Sequence, residues 1–501
     1  MSQQDLQSLI NACDQEPIHI PGSIQPYGVM LVFSPYFAEL QQASANAAEF
    51  FAVESLWSAT AHSLIDGLVL QQLHEGLQFG ERVTVETAHY SYHAYVSGRC
   101  WVVEVETLAP HASQFNTGQT LQRALQAFRE QDSPQGLLQT LTQQVALISG
   151  FERVMIYQFD LDWHGQVVAE TTGKSLPSML NHHFPASDLP AQARAMYSHN
   201  ALRSIGSATA EPIPMHANPI TPNPEAVDMS GGTLRGVSPV HLQYLQNLGV
   251  DASSSIGIFN EDRLWGIIAL HHHSELWMHS KMRKSLRLVT ECAAQRYFYL
   301  QQRENGVFQR KIHALRDRLT DFDDTTASFE QRIYHDAHGW LELIEAAGIC
   351  YIAGDTRVCA GDTPAKTLIT RLVATLSKHQ GISSHWSSRN VFDDLQLGEV
   401  DEPDRKFAGL LAIPMSLRGD RDAWLLVFRT ELVELKTWAG KPEKTVYSGL
   451  TEDMLGPRKS FEMWQQRIGG QSTPWLEPQI FAARDLARDL GFLTNCQLNV
   501  N

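Results

Sequence analysis

From residue 277 to residue 323 the chain has no proline and one glycine, Gly306. Apolar side chains return there at helical spacing through Leu286, Val289, Cys292, Ala293, Tyr297 and Leu300. A stripe of that period over that length specifies one long helix. It joins a folded segment before it to another after it, so the chain reads as separate domains strung on a helix. At 501 residues, an ordinary domain size of about 150 residues points to three.

The segment before residue 115 mixes short strand-type runs, Val29-Met-Leu-Val-Phe33 and Trp101-Val-Val-Glu-Val105, with helical stretches such as residues 43–51. That mixture predicts a small α+β domain. Residues 109–118 have the polar composition of a linker, and a helix begins near Leu121. The next segment has strand signals at 153–159, 255–259 and 264–270, separated by long connections rich in Pro and Gly. Loops of that length inside a compact domain are where function collects. The last segment offers strands at 407–413 and 424–428. Pro474 is placed to open a helix after Thr473. Beyond it Leu476, Ile480, Ala483, Ala487 and Leu490 recur four and three apart, which predicts a short coiled-coil seam.

A formal net charge of −16 opposes a nucleic-acid backbone as the main partner. No run approaches the roughly 18 apolar residues of a membrane span. The start, Met1-Ser-Gln-Gln-Asp, lacks the basic and apolar regions of a signal peptide. A cytoplasmic location is the expectation. The six cysteines, Cys13, Cys100, Cys292, Cys350, Cys359 and Cys496, contain no C-x-x-C pair, so free thiols are expected. No Walker, dinucleotide-binding, H-E-x-x-H or G-x-S-x-G pattern occurs, and Gly231-Gly-Thr-Leu-Arg-Gly236 lacks the phosphate-binding lysine. Residues 1–501 therefore read as no enzyme.

Four short segments carry the functional signal. Cys13 stands just ahead of Pro17-Ile-His-Ile-Pro-Gly-Ser-Ile-Gln-Pro-Tyr-Gly28. Far downstream, Phe184-Pro-Ala-Ser-Asp188-Leu-Pro190 offers one carboxylate between two prolines. Trp438-Ala-Gly-Lys-Pro442 and Pro457-Arg-Lys-Ser-Phe461 bracket a polar, hairpin-like excursion. Together they resemble the bacteriophytochromes, red-light receptors that hold the linear tetrapyrrole biliverdin on an N-terminal cysteine. The resemblance runs the whole chain. It implies an α+β fold of three tandem domains, each with a central antiparallel sheet, joined by long helices. These are a PAS-like domain at 1–115, a GAF chromophore-binding domain at 116–305 and a PHY domain at 306–490 with the connecting helix and a tongue at about 435–470. An output helix at 474–501 follows. It also implies a figure-of-eight knot between the N-terminal segment and the GAF domain, a rare exception to unknotted topology.

Biliverdin carries two propionates, four nitrogens that share protons and a mobile outer ring. Its pocket needs cations, a central acceptor and aromatic walls. By resemblance, Arg203 and Arg235 are the propionate clamps, where a planar guanidinium meets a carboxylate through two parallel hydrogen bonds. Ser238, Ser253 and Ser255 fit supporting hydroxyls. Asp188, with Leu189 and Pro190, matches the aspartate whose carbonyl accepts from the pyrrole nitrogens and whose carboxylate meets the tongue arginine, here Arg458. His241 matches the histidine at the pyrrole water and His271 the one holding the outer-ring carbonyl; both would buffer protons, because histidine titrates near neutrality. Met155, Tyr157, Phe184, Tyr197 and Tyr244 match the packing around the outer ring. Taken singly, such an arginine is usually a solvated charge and such an aspartate a helix cap; the motifs reverse those readings.

The resemblance implies that Cys13 supplies the thioether, by adding its sulfur to a vinyl group. Phytochromes of more reduced bilins place their cysteine where this chain has Val240, which favours biliverdin on Cys13 over phycocyanobilin. The run His271, His272, His273 alternates faces on a strand, so no metal is expected. Trp438, Arg458 and Ser460 match the tongue switch: light isomerises the outer double bond, the Asp188–Arg458 contact is exchanged through Ser460, and the tongue refolds between hairpin and helix. The implied partners are a second copy, through the long helices and the terminal seam, and an output domain in cis after Asn501, either a histidine kinase or a diguanylate cyclase. The chain departs from the family at Leu189, where isoleucine is usual, at Tyr27, where histidine is common, and at Ala439, where glycine is frequent. The residues alone leave open a GAF-type small-molecule sensor and a light-insensitive scaffold.

Overall fold

The computed structural model describes residues 16–108, 115–221, 225–320, 329–379, 382–417, 420–440, 445–448, 453–456 and 460–497. Cys13 and Arg458 lie outside the described residues. The chain forms two compact units, Met1–Leu300 with Thr437–Trp464, and Gln301–Lys436 with Gln465–Asn501.

The first unit holds two large sheets, antiparallel except where Trp438 pairs in parallel with His183. In the N-terminal one, Val29–Phe33 is buried along its whole length, which explains why its sequence is a continuous apolar run rather than an alternating one. Val29, Leu31 and Phe33 pack with Leu73 and Leu77 of the helix Gly67–Leu77. Met30 and Val32 face the other way, onto Val102, Met229 and Leu234. The strand Ile213–Ala217 of the next domain inserts into this sheet between Ser23–Ile24 and Leu40–Ser44. That insertion corrects the helix expected over residues 43–51. Ala43 and Ser44 pair with His216 and Met215, leaving only a short helix, Ala47–Phe50. A strand partner so distant in sequence overrides local propensity.

The second sheet runs Leu202–Ile205, Ala252–Asn260, Arg263–His272, Arg153–Phe159, Gly165–Thr172 and His183–Phe184. Its even-numbered residues Val154, Ile156, Ile268 and Leu270 pack under Leu137, Leu141, Val145, Leu286 and Val289 of the helices Pro134–Ser149 and Ser280–Thr320. The odd-numbered residues are thereby turned to the opposite face. Ser280–Thr320 is the predicted long helix, 41 residues without a break. Within the segment Thr437–Trp464, Thr445–Ser448 and Asp453–Gly456 form an antiparallel hairpin.

The second unit has one antiparallel sheet, ordered Thr356–Gly361, Gly348–Ala353, Asp420–Arg429, Gly409–Leu417 and Trp386–Ser388. The helix Lys366–Leu376 covers one face, placing Leu368, Leu372 and Leu376 on Leu410 and Leu426. The terminal helix Glu477–Gln497 covers the other, and here the expected seam needs correction. Ile480, Ala483, Ala487 and Leu490 are buried against Leu411, Ile413, Leu425 and Val427 of the same unit. A 4-3 repeat specifies an apolar stripe and leaves its cover undecided. Leu476 is exposed, and the helix starts at Glu477 rather than Pro474, whose carbonyl is taken by Arg429 at 2.8 Å.

The expectation of free thiols also fails at one place. Cys350 and Cys359 stand directly opposite each other across an antiparallel pair and are joined as a disulfide. A spacing count cannot register a neighbour created by strand pairing. Among the described residues no helix is long and apolar enough to cross a membrane.

Candidate functional site

On the sheet face turned away from the helices, Met155, Tyr157, Ile267, Ala269 and His271 floor a cavity of about 290 Å³, at the small end of ordinary ligand sites. Every binding residue expected from the sequence that lies among the described residues lines this cavity. Phe184, Leu189, Pro190, Tyr197 and Tyr244 form walls, while Asp188, Arg203, Arg235, His241, Ser238, Ser253 and Ser255 supply its polar groups. Glu16 and Ile18 line it as well, a contribution of the N-terminal run that motif reading did not assign.

Register explains the polar cluster. Arg203 and Ser255 are opposite each other on neighbouring strands, as are Ile205 and Ser253, so Arg203 and both serines share a face. Tyr197 Oη donates to Ser255 Oγ at 2.7 Å. Arg203 Nη2 donates to the carbonyls of Arg235 and Gly236, each at 2.9 Å, while its Nη1 is buried without a hydrogen-bond partner. Arg235 donates to the Ile18 carbonyl, and Ser238 Oγ donates to Glu16 at 3.0 Å. Burial, then the Arg235 charge, holds Arg203 well below the usual arginine range. Arg235 is buried and Arg203 half-buried, and two guanidinium groups lining one cavity demand an anion. That vacant Nη1 and the paired charge fit a ligand bearing carboxylates.

The loop behind Arg235 is seated by a residue that motif reading missed. Glu104, on the strand Cys100–Thr107, accepts from the Thr233 and Leu234 N–H groups at 2.8 and 3.2 Å. Gly232 allows this close approach, since a Cβ there would lie 2.3 Å from Glu104 Oε1. Burial pushes the Glu104 carboxyl up to about 7.

Asp188 ends a single turn, Ala186–Asp188, and donates its N–H to the Pro185 carbonyl at 3.0 Å. Tyr244 Oη donates to Asp188 Oδ2 at 3.2 Å, and the Tyr244 ring stacks beside His241. Burial, with Arg203 second, pushes His241 down to about 4; burial, with Arg153 second, holds His271 well below the ordinary range. Both shifts favour the neutral imidazole. The three consecutive histidines divide: His271 is buried at the cavity, whereas His272 and His273 gather with Glu152, their donor atoms within 4.8 Å of one another.

The segment Thr437–Trp464 reaches the same domain at two places. Trp438 is the register partner of His183 and lies edge-on to the rings of His164 and His183. Phe461 meets Tyr244 edge to face at 5.0 Å. Ser460 is exposed and accepts from the Glu462 N–H at 3.2 Å. Ala439 is fully buried. Tyr27 stacks on Trp277 at 4.3 Å.

Comparison with known proteins bears on this geometry directly. The family models described as PAS fold, GAF domain and phytochrome region match residues 13–107, 133–296 and 312–495. A bacteriophytochrome of Xanthomonas campestris pv. campestris (strain 8004) is 30% identical over 497 residues, covering 95% of this chain and 77% of the relative. The chain belongs to the bacteriophytochromes. The bacteriophytochrome of Pseudomonas aeruginosa PAO1 is 31% identical, over 95% of this chain and 66% of its own length. Two solved structures are similar throughout. A bacteriophytochrome of R. palustris gives a TM-score of 0.80 at 28% identity, covering 97% of this chain and 99% of its own. The Stigmatella aurantiaca phytochrome photosensory core module gives 0.77 at 29%, covering 96% and 98%. This bacteriophytochrome chain is thus a photosensory core module in PAS, GAF, PHY order, and it spans 64% to 77% of the first four curated relatives.

Proposed function

We propose that this bacteriophytochrome core binds biliverdin as a thioether on Cys13 and uses light to switch the tongue, and through it an output domain. The observation that carries the reading is the pair of guanidinium groups, buried Arg235 and half-buried Arg203 with its Nη1 enclosed, in an aromatic-walled cavity also lined by Glu16. Cys13 precedes Glu16 by three residues, which extended chain covers in at most about 10 Å. When bound, the pigment supplies red-light absorption and an outer double bond that light isomerises.

The residues divide the remaining work. Arg203 and Arg235 pair with the propionates, supported by Ser238, Ser253 and Ser255. The Asp188 carbonyl accepts from the pyrrole nitrogens, and its carboxylate, held by Tyr244, is the partner of Arg458. His241 and His271 offer neutral ring nitrogens, and Met155, Tyr157, Phe184, Leu189, Pro190 and Tyr197 exclude water. The hairpin Thr445–Ser448 with Asp453–Gly456 is one of two tongue forms. The other exchanges Arg458 for Ser460 and releases the Trp438 contact. Domain limits near residues 115 and 305, the threaded N-terminus and a cytoplasmic setting belong to this reading. So do a homodimer through the long helix, where Tyr299 and Val307 remain exposed, and a histidine kinase or diguanylate cyclase in cis.

Adding biliverdin to the purified chain tests the reading. Bands in the red that shift on illumination are expected, with a zinc-fluorescent band on a denaturing gel that Cys13→Ala abolishes. A chain that stays colourless, or whose colour ignores light, favours the small-molecule sensor or the scaffold instead. A fluorescent band retained in Cys13→Ala contradicts the attachment site.

A further inference from the structure

Behind His271, away from the cavity, stands Arg153. The two are register partners on neighbouring antiparallel strands, so their side chains leave the sheet on the same face. Arg153 is fully buried and is not among the residues that line the cavity. Its Nη2 lies 2.8 Å from His271 Nδ1, and its Nη1 donates to the Pro177 carbonyl at 2.8 Å. The carboxylate of Glu170, whose charge Arg153 feels through space, is engaged by the Met179 N–H and the Ser178 hydroxyl.

A guanidinium has five N–H donors, no acceptor, and a charge it keeps in proteins. The contact therefore has one direction: Arg153 donates and the lone pair of His271 Nδ1 accepts. A neutral imidazole carries one ring proton, which is then on Nε2. An imidazolium has no lone pair at Nδ1, so protonation would set two donors and two buried like charges against each other. The depression of His271 by burial and by the Arg153 charge agrees with this geometry.

We propose that Arg153 is a positioning residue that locks His271 as the neutral Nε2–H tautomer, making it an obligate hydrogen-bond donor to the ligand in the cavity. The identity of the acceptor rests on the pocket reading above: a carbonyl oxygen at the outer end of the tetrapyrrole. The lock itself does not depend on that reading. It selects ligands that present an acceptor to His271 and disfavours those that present an N–H there, because two donors would meet in a buried place.

The test is nitrogen NMR of the full chain labelled with ¹⁵N-histidine at neutral pH, with and without biliverdin, His271 being assigned through His271→Gln. The expected pattern is a proton-bearing, pyrrole-type Nε2 and a pyridine-type Nδ1 in both samples. Arg153→Lys, which keeps the charge and a donor, preserves it. Arg153→Met gives a mixture with a substantial Nδ1–H fraction and, with pigment, a shifted absorption maximum. A wild-type His271 that is Nδ1–H or doubly protonated overturns the proposal, as does Arg153→Met with the wild-type pattern. If Arg153→Met fails to fold, the wild-type tautomer decides. Failure to take up biliverdin would sink the occupant assigned to the pocket, while the ligand-free spectrum still judges the lock.

Discussion

Glu104 is a fully buried carboxyl group whose two acceptor contacts hold the loop that carries Arg235. Its folded value of about 7 stands above the roughly 4.3 of a free glutamate. The folded chain therefore keeps a proton that the unfolded chain has lost. The contribution is fully present below about pH 4.3 and is lost as pH rises to about 7, a swing of roughly 4 kcal/mol. Glu104→Gln keeps an oxygen for the Thr233 and Leu234 N–H groups and cannot ionise. Its melting temperature is expected to lack the wild-type decline across that window; parallel pH profiles for the two chains would refute the assignment. Asp188 was legible in the sequence because two prolines fix the backbone around it within a few residues. Glu104 and Arg153 carried no such local mark, since each acquires its role from strand pairing or from a loop of another domain.

Among the elements, the helix Pro134–Ser149 shows how end signals convert into stability. Ser133 Oγ accepts from the Gly136 N–H at 3.1 Å, Pro134 opens the helix, and Gly150 closes it at φ 74°. Ser133→Ala removes the cap and is expected to cost about 1 kcal/mol, read as a lower urea midpoint with unchanged slope. Gly165 makes a tighter demand, because a Cβ there would fall 1.8 Å from the Tyr157 ring. Gly165→Ala must displace this cavity wall, so reduced pigment uptake and a lower melting temperature are expected. Uptake equal to wild type would show that the ring moves freely. Helices were readable wherever one face meets a core, as in Ser280–Thr320. The stripe of Glu477–Gln497 was equally readable, but its cover was not, because an apolar face looks the same whether a sheet or a second chain lies on it.

For the molecule as a whole, the ties that matter join parts far apart in sequence. Within the first unit, Glu106 of the N-terminal sheet takes both Nη atoms of Arg283 on the long helix, with the Trp277 indole donating to the same carboxylate at 2.9 Å. Both charges are buried. Arg283→Met leaves the carboxylate unpaired and is expected to cost about 3 to 5 kcal/mol, most of which Glu106→Leu in the same chain restores. Denaturant unfolding of the two variants checks this, and a double variant as weak as the single one would contradict it. The sequence by itself marked the long helix, strands such as Val29–Phe33 and Arg153–Phe159, and a set of residues that come together in one cavity, because periodicity, proline-fixed turns and motif chemistry act over short stretches of chain. Only the tertiary structure decided that Ile213–Ala217 joins another domain's sheet, that Cys350 faces Cys359, that the terminal stripe is covered from within and that Arg153 stands behind His271. Each of these depends on which distant strands pair and in what register, and a one-residue slip in register would turn every side chain involved to the other face.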